Sequence, residues 1–139
     1  MNEQEAFEQM KACELKTFKE TYGEEARERY GAQAVEESNA RLRDMSRDEW
    51  DEKTQLEESI KNQLRQAIMM KSVTSEAAQE LVRLHQKWIR FHWGDRFNKE
   101  AYLGLAEMYL LDPRFTDYYD KAAGNGATEF LVRAIKENA

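Results

Sequence analysis

The apolar residues of this 139-residue chain fall into helical stripes of unequal quality. The cleanest is Ala78, Leu81, Val82, His85, Trp88, Ile89 and His92. Their steps of three, one, three, three, one and three residues keep them on one face of an α-helix. The polar turn "KSVTS" precedes it with Thr74 or Ser75 as the cap, and Gly94-Asp95 ends it. Leu56, Ile60, Leu64, Ala67 and Ile68 mark a second helix running to about Met70. Its start is signed by Ser46 and Glu49, spaced as a capping box in which each side chain meets a backbone donor of the other residue. Met45 stands ready to staple that end. The acidic first turn, Asp48 to Glu52, suits the positive end of the helix dipole.

Farther on, Asn98 caps "KEAYLGLAEMYLL", a segment apolar on nearly every face and therefore predicted to be central. Asp112-Pro113 supplies a cap and a proline at the first helical position, opening "PRFTDYYDKAA". "GNG" at 124–126 is a turn, and "TEFLVRAIKEN" a last amphipathic helix. The N-terminal third is weaker. Phe7, Met10, Leu15, Phe18 and Tyr22 form a thin stripe with Gly23 read as its end, and Gly31 interrupts the sparse pattern from Glu24 to Leu42. The reading is therefore an all-α single domain of five to seven helices, with residues 1–42 helical but weakly anchored and residues 43–139 forming the core.

Composition narrows the function classes. A chain this long can bury one sizeable core, and 41% hydrophobic with 35% charged residues and a single proline favours amphipathic helices. No run approaches the roughly 18 to 20 apolar residues of a membrane span, and "MNEQEAFEQMKA" lacks the features of a signal peptide. The expectation is a cytoplasmic protein without membrane contact. A lone Cys13 excludes an internal disulfide or cysteine-based zinc site and is expected as a small buried residue. The net charge of −6 lies wholly in the first half, where 17 acids face 11 bases within residues 1–70. Nucleic-acid affinity comes mostly from phosphate neutralisation, so any contact with DNA requires another segment.

Catalytic and metal chemistry find little support. His85 and His92 share a helix face but stand about 10.5 Å apart along the axis, too far to hold one metal ion. Each is expected as a hydrogen-bonded histidine at the edge of the core or as a polar group lining a pocket. The acidic pairs at 24, 36 and 57 read as solvated helix faces. No nucleophile elbow, zinc-protease, P-loop or dinucleotide motif occurs. No enzyme activity, metal or cofactor is expected, and a haem reading resting on His85 would require a Soret band to revive it. What remains is a cluster of Trp88, Phe91, Trp93, Phe97, Tyr102, Tyr109, Phe115, Tyr118 and Tyr119 within 32 residues. Large rings with polar tips suit either a core or an apolar concavity with a few polar groups, the usual form of a small-molecule site.

"YGEEARERYG", "ESNARLRDMSRDEWDE", "LVRLHQKWIRFHWGD" and "YLGLAEMYLLDPRF" resemble, in order and approximate spacing, the TipAS-like antibiotic-recognition domain of MerR-family transcriptional activators. The most specific piece runs from Gly104 to Phe115. The resemblance implies a globin-like helical fold without haem and a cleft between helices for thiopeptides or other bulky, largely apolar antibiotics. It also implies an N-terminal helix-turn-helix and dimerisation helix through which alone DNA is contacted. Neither is seen in this chain, which is expected either as a monomeric effector domain of a homodimeric regulator or as a stand-alone drug-sequestering resistance protein. The family's founding member captures thiopeptides through a cysteine just before the "GLAEMY"-like helix. Here "HWGDRFNKEAY" holds none, so non-covalent binding is expected. Trp88, His92, Phe97, Tyr102 and Tyr109 are the expected walls and polar contacts, with Trp50, His85, Ile89, Leu105 and Met108 behind or beside them.

Overall fold

The computed structural model describes residues 2–139 and is all-α. Its helices are α1 (Glu3–Tyr30), α2 (Ala32–Asp44), α3 (Arg47–Met69), α4 (Glu76–Trp93), α5 (Lys99–Leu111), α6 (Pro113–Ala123) and α7 (Ala127–Asn138), with a 3-10 turn at Gly94–Arg96. No strand occurs among the described residues. The caps expected from sequence form. Ser46 Oγ accepts from Glu49 N at 3.2 Å while Ser46 N donates to Glu49 Oε1 at 3.4 Å. Ser75 Oγ accepts from Ala78 N, Asn98 Oδ1 from Ala101 N, and Asp112 Oδ1 from Arg114 N, with Pro113 opening α6.

Two compact units can be told apart, Met1–Lys53 with Ile89–Arg96, and Thr54–Trp88 with Phe97–Ala139. In the first, α1 packs along α2. Phe7, Met45 and Trp50 form an apolar cluster joined by the partly buried Leu42 and Phe91, so Met45 meets Trp50 as the staple requires. Gly23 does not end α1. It is buried mid-helix, and the chain breaks eight residues later at Gly31, whose φ of +88° is one that glycine adopts without cost. A glycine inside a helix costs only about 1 kcal/mol, which burial along α2 outweighs.

The stripe on α1 also differs from expectation. Its buried residues are Phe7, Lys11, Leu15 and Gly23, at steps near four, whereas Met10 and Phe18 are exposed. Cys13 points away from that stripe and is exposed, not buried. A stripe this narrow leaves each residue two positions from it on the opposite face.

In the second unit α5 packs on both α6 and α7, and α6 on α7. Leu64, Ala67, Ala78, Leu81, Val82, Leu131, Val132 and Ile135 are almost wholly enclosed. Of the α4 stripe, Ala78, Leu81, Val82, His85 and Ile89 are buried, while Trp88 and His92 are only partly so. α5 is less central than its composition suggests. Tyr102, Leu105, Ala106, Met108 and Tyr109 are buried, but the face carrying Gly104, Glu107, Leu110 and Leu111 is exposed, with Leu111 79% accessible. Neighbouring helices on some sides only cannot cover a helix apolar all round. At the head of α7, Asp120 accepts from Thr128 N at 2.9 Å, and the Thr128 hydroxyl lies 2.9 Å from the same carboxylate and 3.0 Å from Thr116 O.

Candidate ligand-binding site

The second unit is organised around His85, which projects from the buried face of α4 and is fully enclosed. Its Nδ1 lies 2.7 Å from the Tyr102 hydroxyl and its Nε2 3.0 Å from that of Tyr109, both borne by α5; the Tyr119 hydroxyl of α6 is 3.5 Å from Nε2. Tyr102 and Tyr109 are seven residues apart, two helical turns, so α5 presents both hydroxyls to one side. Burial among these rings lowers the imidazole pKa to about 3 and raises the phenol pKa values of Tyr102 and Tyr119. The ring is therefore neutral, and one nitrogen donates while the other accepts. Both ring nitrogens are committed to protein hydroxyls, so His85 is a centre-piece of the core rather than an edge residue.

Rings spread outward from this enclosed centre. Trp88 lies 5.9 Å from His85, Phe97 5.4 Å from Tyr102, Phe115 5.3 Å from Tyr109, and Tyr118 5.0 Å from Tyr119, centroid to centroid. Trp88, Phe97 and Phe115 are half-buried and Tyr118 is exposed. Trp88 Nε1 donates to Glu57 Oε1 at 3.3 Å, and the Lys61 ammonium stands 5.0 Å above the Tyr118 ring. The cluster thus has an enclosed, hydrogen-bonded interior and an aromatic margin that reaches solvent.

Among the residues singled out from sequence, the structure brings His85, Trp88, Phe97, Tyr102 and Tyr109 into this one cluster. Leu105 and Met108 are buried on α5 in the same unit. Trp50, Ile89 and His92 belong to the first unit, where Trp50 and Ile89 are buried. His92 is partly buried with its Nε2 enclosed, and its pKa is lowered to about 4, first by burial and then by the Lys53 charge. Its backbone carbonyl accepts from Arg41 Nη1 at 3.3 Å.

Sequence reasoning did not select Phe115, Tyr118, Tyr119 or Glu57 as site residues. The signal for Phe115 and Tyr119 was present, since an i, i+4 aromatic pair shares one helix face. Glu57 lay in an acidic run that reads as solvent-exposed, and nothing local marks its bond to Trp88. A recess of about 450 Å³ on α4 and the end of α7, lined chiefly by Glu76, Gln79, Glu80, Arg83, Gln86 and Asn138, contains none of the candidate residues.

Comparison with known proteins agrees with the motifs. The family model of the TipAS antibiotic-recognition domain matches residues 22–138, from the second half of α1 to the end of α7. No curated protein and no solved structure matches the chain. The matched stretch contains the entire aromatic cluster and both histidines, and by it the chain belongs to the TipAS antibiotic-recognition domain family.

Proposed function

We propose that this chain is the ligand-sensing effector domain of a MerR-family transcriptional regulator. It binds a bulky, largely apolar antibiotic without covalent capture, and the aromatic margin of the second unit is the wall it binds against. The observation that carries this reading is the continuity of rings from the enclosed His85–Tyr102–Tyr109 centre to Trp88, Phe97, Phe115 and Tyr118, which reach the surface. A large apolar ligand gains by covering those ring edges, at roughly 25 cal/mol for each Å² of apolar surface removed from water. The rigid, fully hydrogen-bonded centre fixes where the edges stand. Within the first unit Trp50, His92 and Ile89 support the ligand-responsive segment, and within the second Leu105 and Met108 stand behind the aromatic margin.

Signalling needs only that the ligand bind one conformation better than another. Residues 1–42, held by few buried side chains, are the segment whose order a ligand would change. The test is calorimetric titration with thiopeptides and other bulky apolar antibiotics. Phe97→Ala and Tyr118→Ala each weaken binding of an active compound by about tenfold, in keeping with the ~1–3 kcal/mol lost when a large contact residue is truncated. Both variants keep the wild-type melting transition to within a few degrees. Affinity unchanged in both would remove the aromatic margin from the site.

A further inference from the structure

The aromatic margin of the second unit carries charge as well as rings, and the charge is unevenly signed. Glu57 and Lys61 lie one turn apart on α3, and both reach the margin. Glu57 is half-buried, and its Oε1 accepts from Trp88 Nε1 at 3.3 Å. Burial raises the Tyr119 phenol above its ordinary value and the Glu57 charge adds to that rise, so the carboxylate is felt by a second ring. Lys61 stands 5.0 Å above the Tyr118 ring and pairs with Glu58 at 3.4 Å. The next cation along α3, Arg65, is engaged farther on, where it donates to Ala122 O at 2.7 Å. Beside the rings, two carboxylates, Glu57 and Glu58, therefore stand against one ammonium.

The face of an aromatic ring is negative, and its attraction for a cation grows as water is removed. The chain itself seats an ammonium on this wall, at Tyr118. A carboxylate at the edge of such faces draws a cation further and repels an anion. A large neutral ligand that covers the margin also takes water from Glu57, and a carboxylate desolvated without a compensating cation costs free energy. A ligand that brings its own positive charge offsets that cost.

We propose that the margin selects lipophilic cations, bulky apolar compounds with a fixed positive charge, and that Glu57 is the residue that reads the charge. This rests on the margin being the ligand wall. The rings hold the apolar bulk, and Glu57 sets the sign.

The experiment uses two ions of one shape and opposite charge, tetraphenylphosphonium and tetraphenylborate, titrated into the full chain by calorimetry. Tetraphenylphosphonium binds at least about tenfold more tightly than tetraphenylborate. Glu57→Gln reduces that preference about tenfold, weakening the cation and strengthening the anion. Lys61→Met, which removes a competing ammonium, tightens the cation. Tyr118→Ala weakens both ions, because the wall is shared. Equal affinity of the two ions, a preference unchanged in Glu57→Gln, or no binding of either ion overturns the proposal. Should Glu57→Gln not fold, Lys61→Met decides, and unchanged cation affinity in that chain overturns it. Two ions bound equally and weakened alike by Tyr118→Ala would leave the wall in place and remove only the role of Glu57. Two ions indifferent to Tyr118→Ala would remove the wall as well.

Discussion

At the scale of single residues, His85 carries the most testable physics. Its two ring nitrogens lie within hydrogen-bond reach of two buried phenols, so His85→Leu deprives the Tyr102 and Tyr109 hydroxyls of their imidazole partner. An unsatisfied buried polar group costs about 1–3 kcal/mol, and a loss of about 2–4 kcal/mol in urea unfolding is expected. The pH dependence has a definite sign. Burial holds the folded imidazole at a pKa of about 3, below its ordinary 6.5. Between those values the unfolded chain binds the extra proton, so stability rises with pH through this window and the contribution is complete above 6.5. Falling from pH 7 to 5 costs about 2 kcal/mol through His85. His92 acts in the same direction, with its pKa lowered to about 4. The depressed carboxylates Glu37, Glu80 and Asp120 lose their partners only below the ordinary carboxylate range, so the slope between pH 5 and 6.5 reports the imidazoles. Urea midpoints at pH 7 and 5 should differ less in His85→Leu than in wild type; an equal difference would mean that the buried imidazole is not the titrating group.

At the scale of elements, boundaries with local chemistry were legible and those set by tertiary contact were not. Ser46, Ser75, Asn98 and Asp112 each cap the helix expected of them, because the acceptor and the donor it satisfies lie two or three residues apart. Gly23 misled, since whether a glycine ends a helix depends on what lies beyond it. Lys11 was invisible for the same reason, its partners being 32 and 34 residues away. Two positions allow the backbone account to be tested in opposite senses. Lys71 holds φ at +57°, a left-handed conformation costly for a residue with a Cβ, whereas Gly104 sits mid-helix in α5 with open space where a Cβ would stand. Lys71→Gly and Gly104→Ala are therefore each expected to stabilise by about 0.5–1 kcal/mol, the first by relieving strain and the second by reducing unfolded-chain entropy. Thermal unfolding checks both, and a lowered midpoint in Gly104→Ala would point to a neighbour that approaches α5 there.

At the scale of the whole molecule, fold class was legible because helical periodicity and caps agree along the chain. Trp88, Phe97, Tyr102 and Tyr109, four of the ten residues chosen for the site, gather with a fifth, the buried His85. The rest could not be placed from sequence, because an apolar stripe looks the same whether it faces a core or a ligand. Family membership adds antibiotic recognition to this architecture, and the aromatic margin of the second unit is the surface proposed for it. Three tryptophans report on both units, Trp50 and Trp93 on the first and Trp88 on the second. Trp88 is bonded to Glu57 and adjoins His85, so a ligand seated on the margin changes its surroundings directly.

The decisive measurement is a titration of the purified chain with thiopeptides and other bulky apolar antibiotics, following tryptophan fluorescence and amide hydrogen exchange together. Saturable quenching that disappears when Trp88 is replaced by Phe, with new protection in residues 1–42, is the predicted result. Binding that leaves Trp88 fluorescence and the exchange of residues 1–42 unchanged, or no binding by any compound, would contradict it.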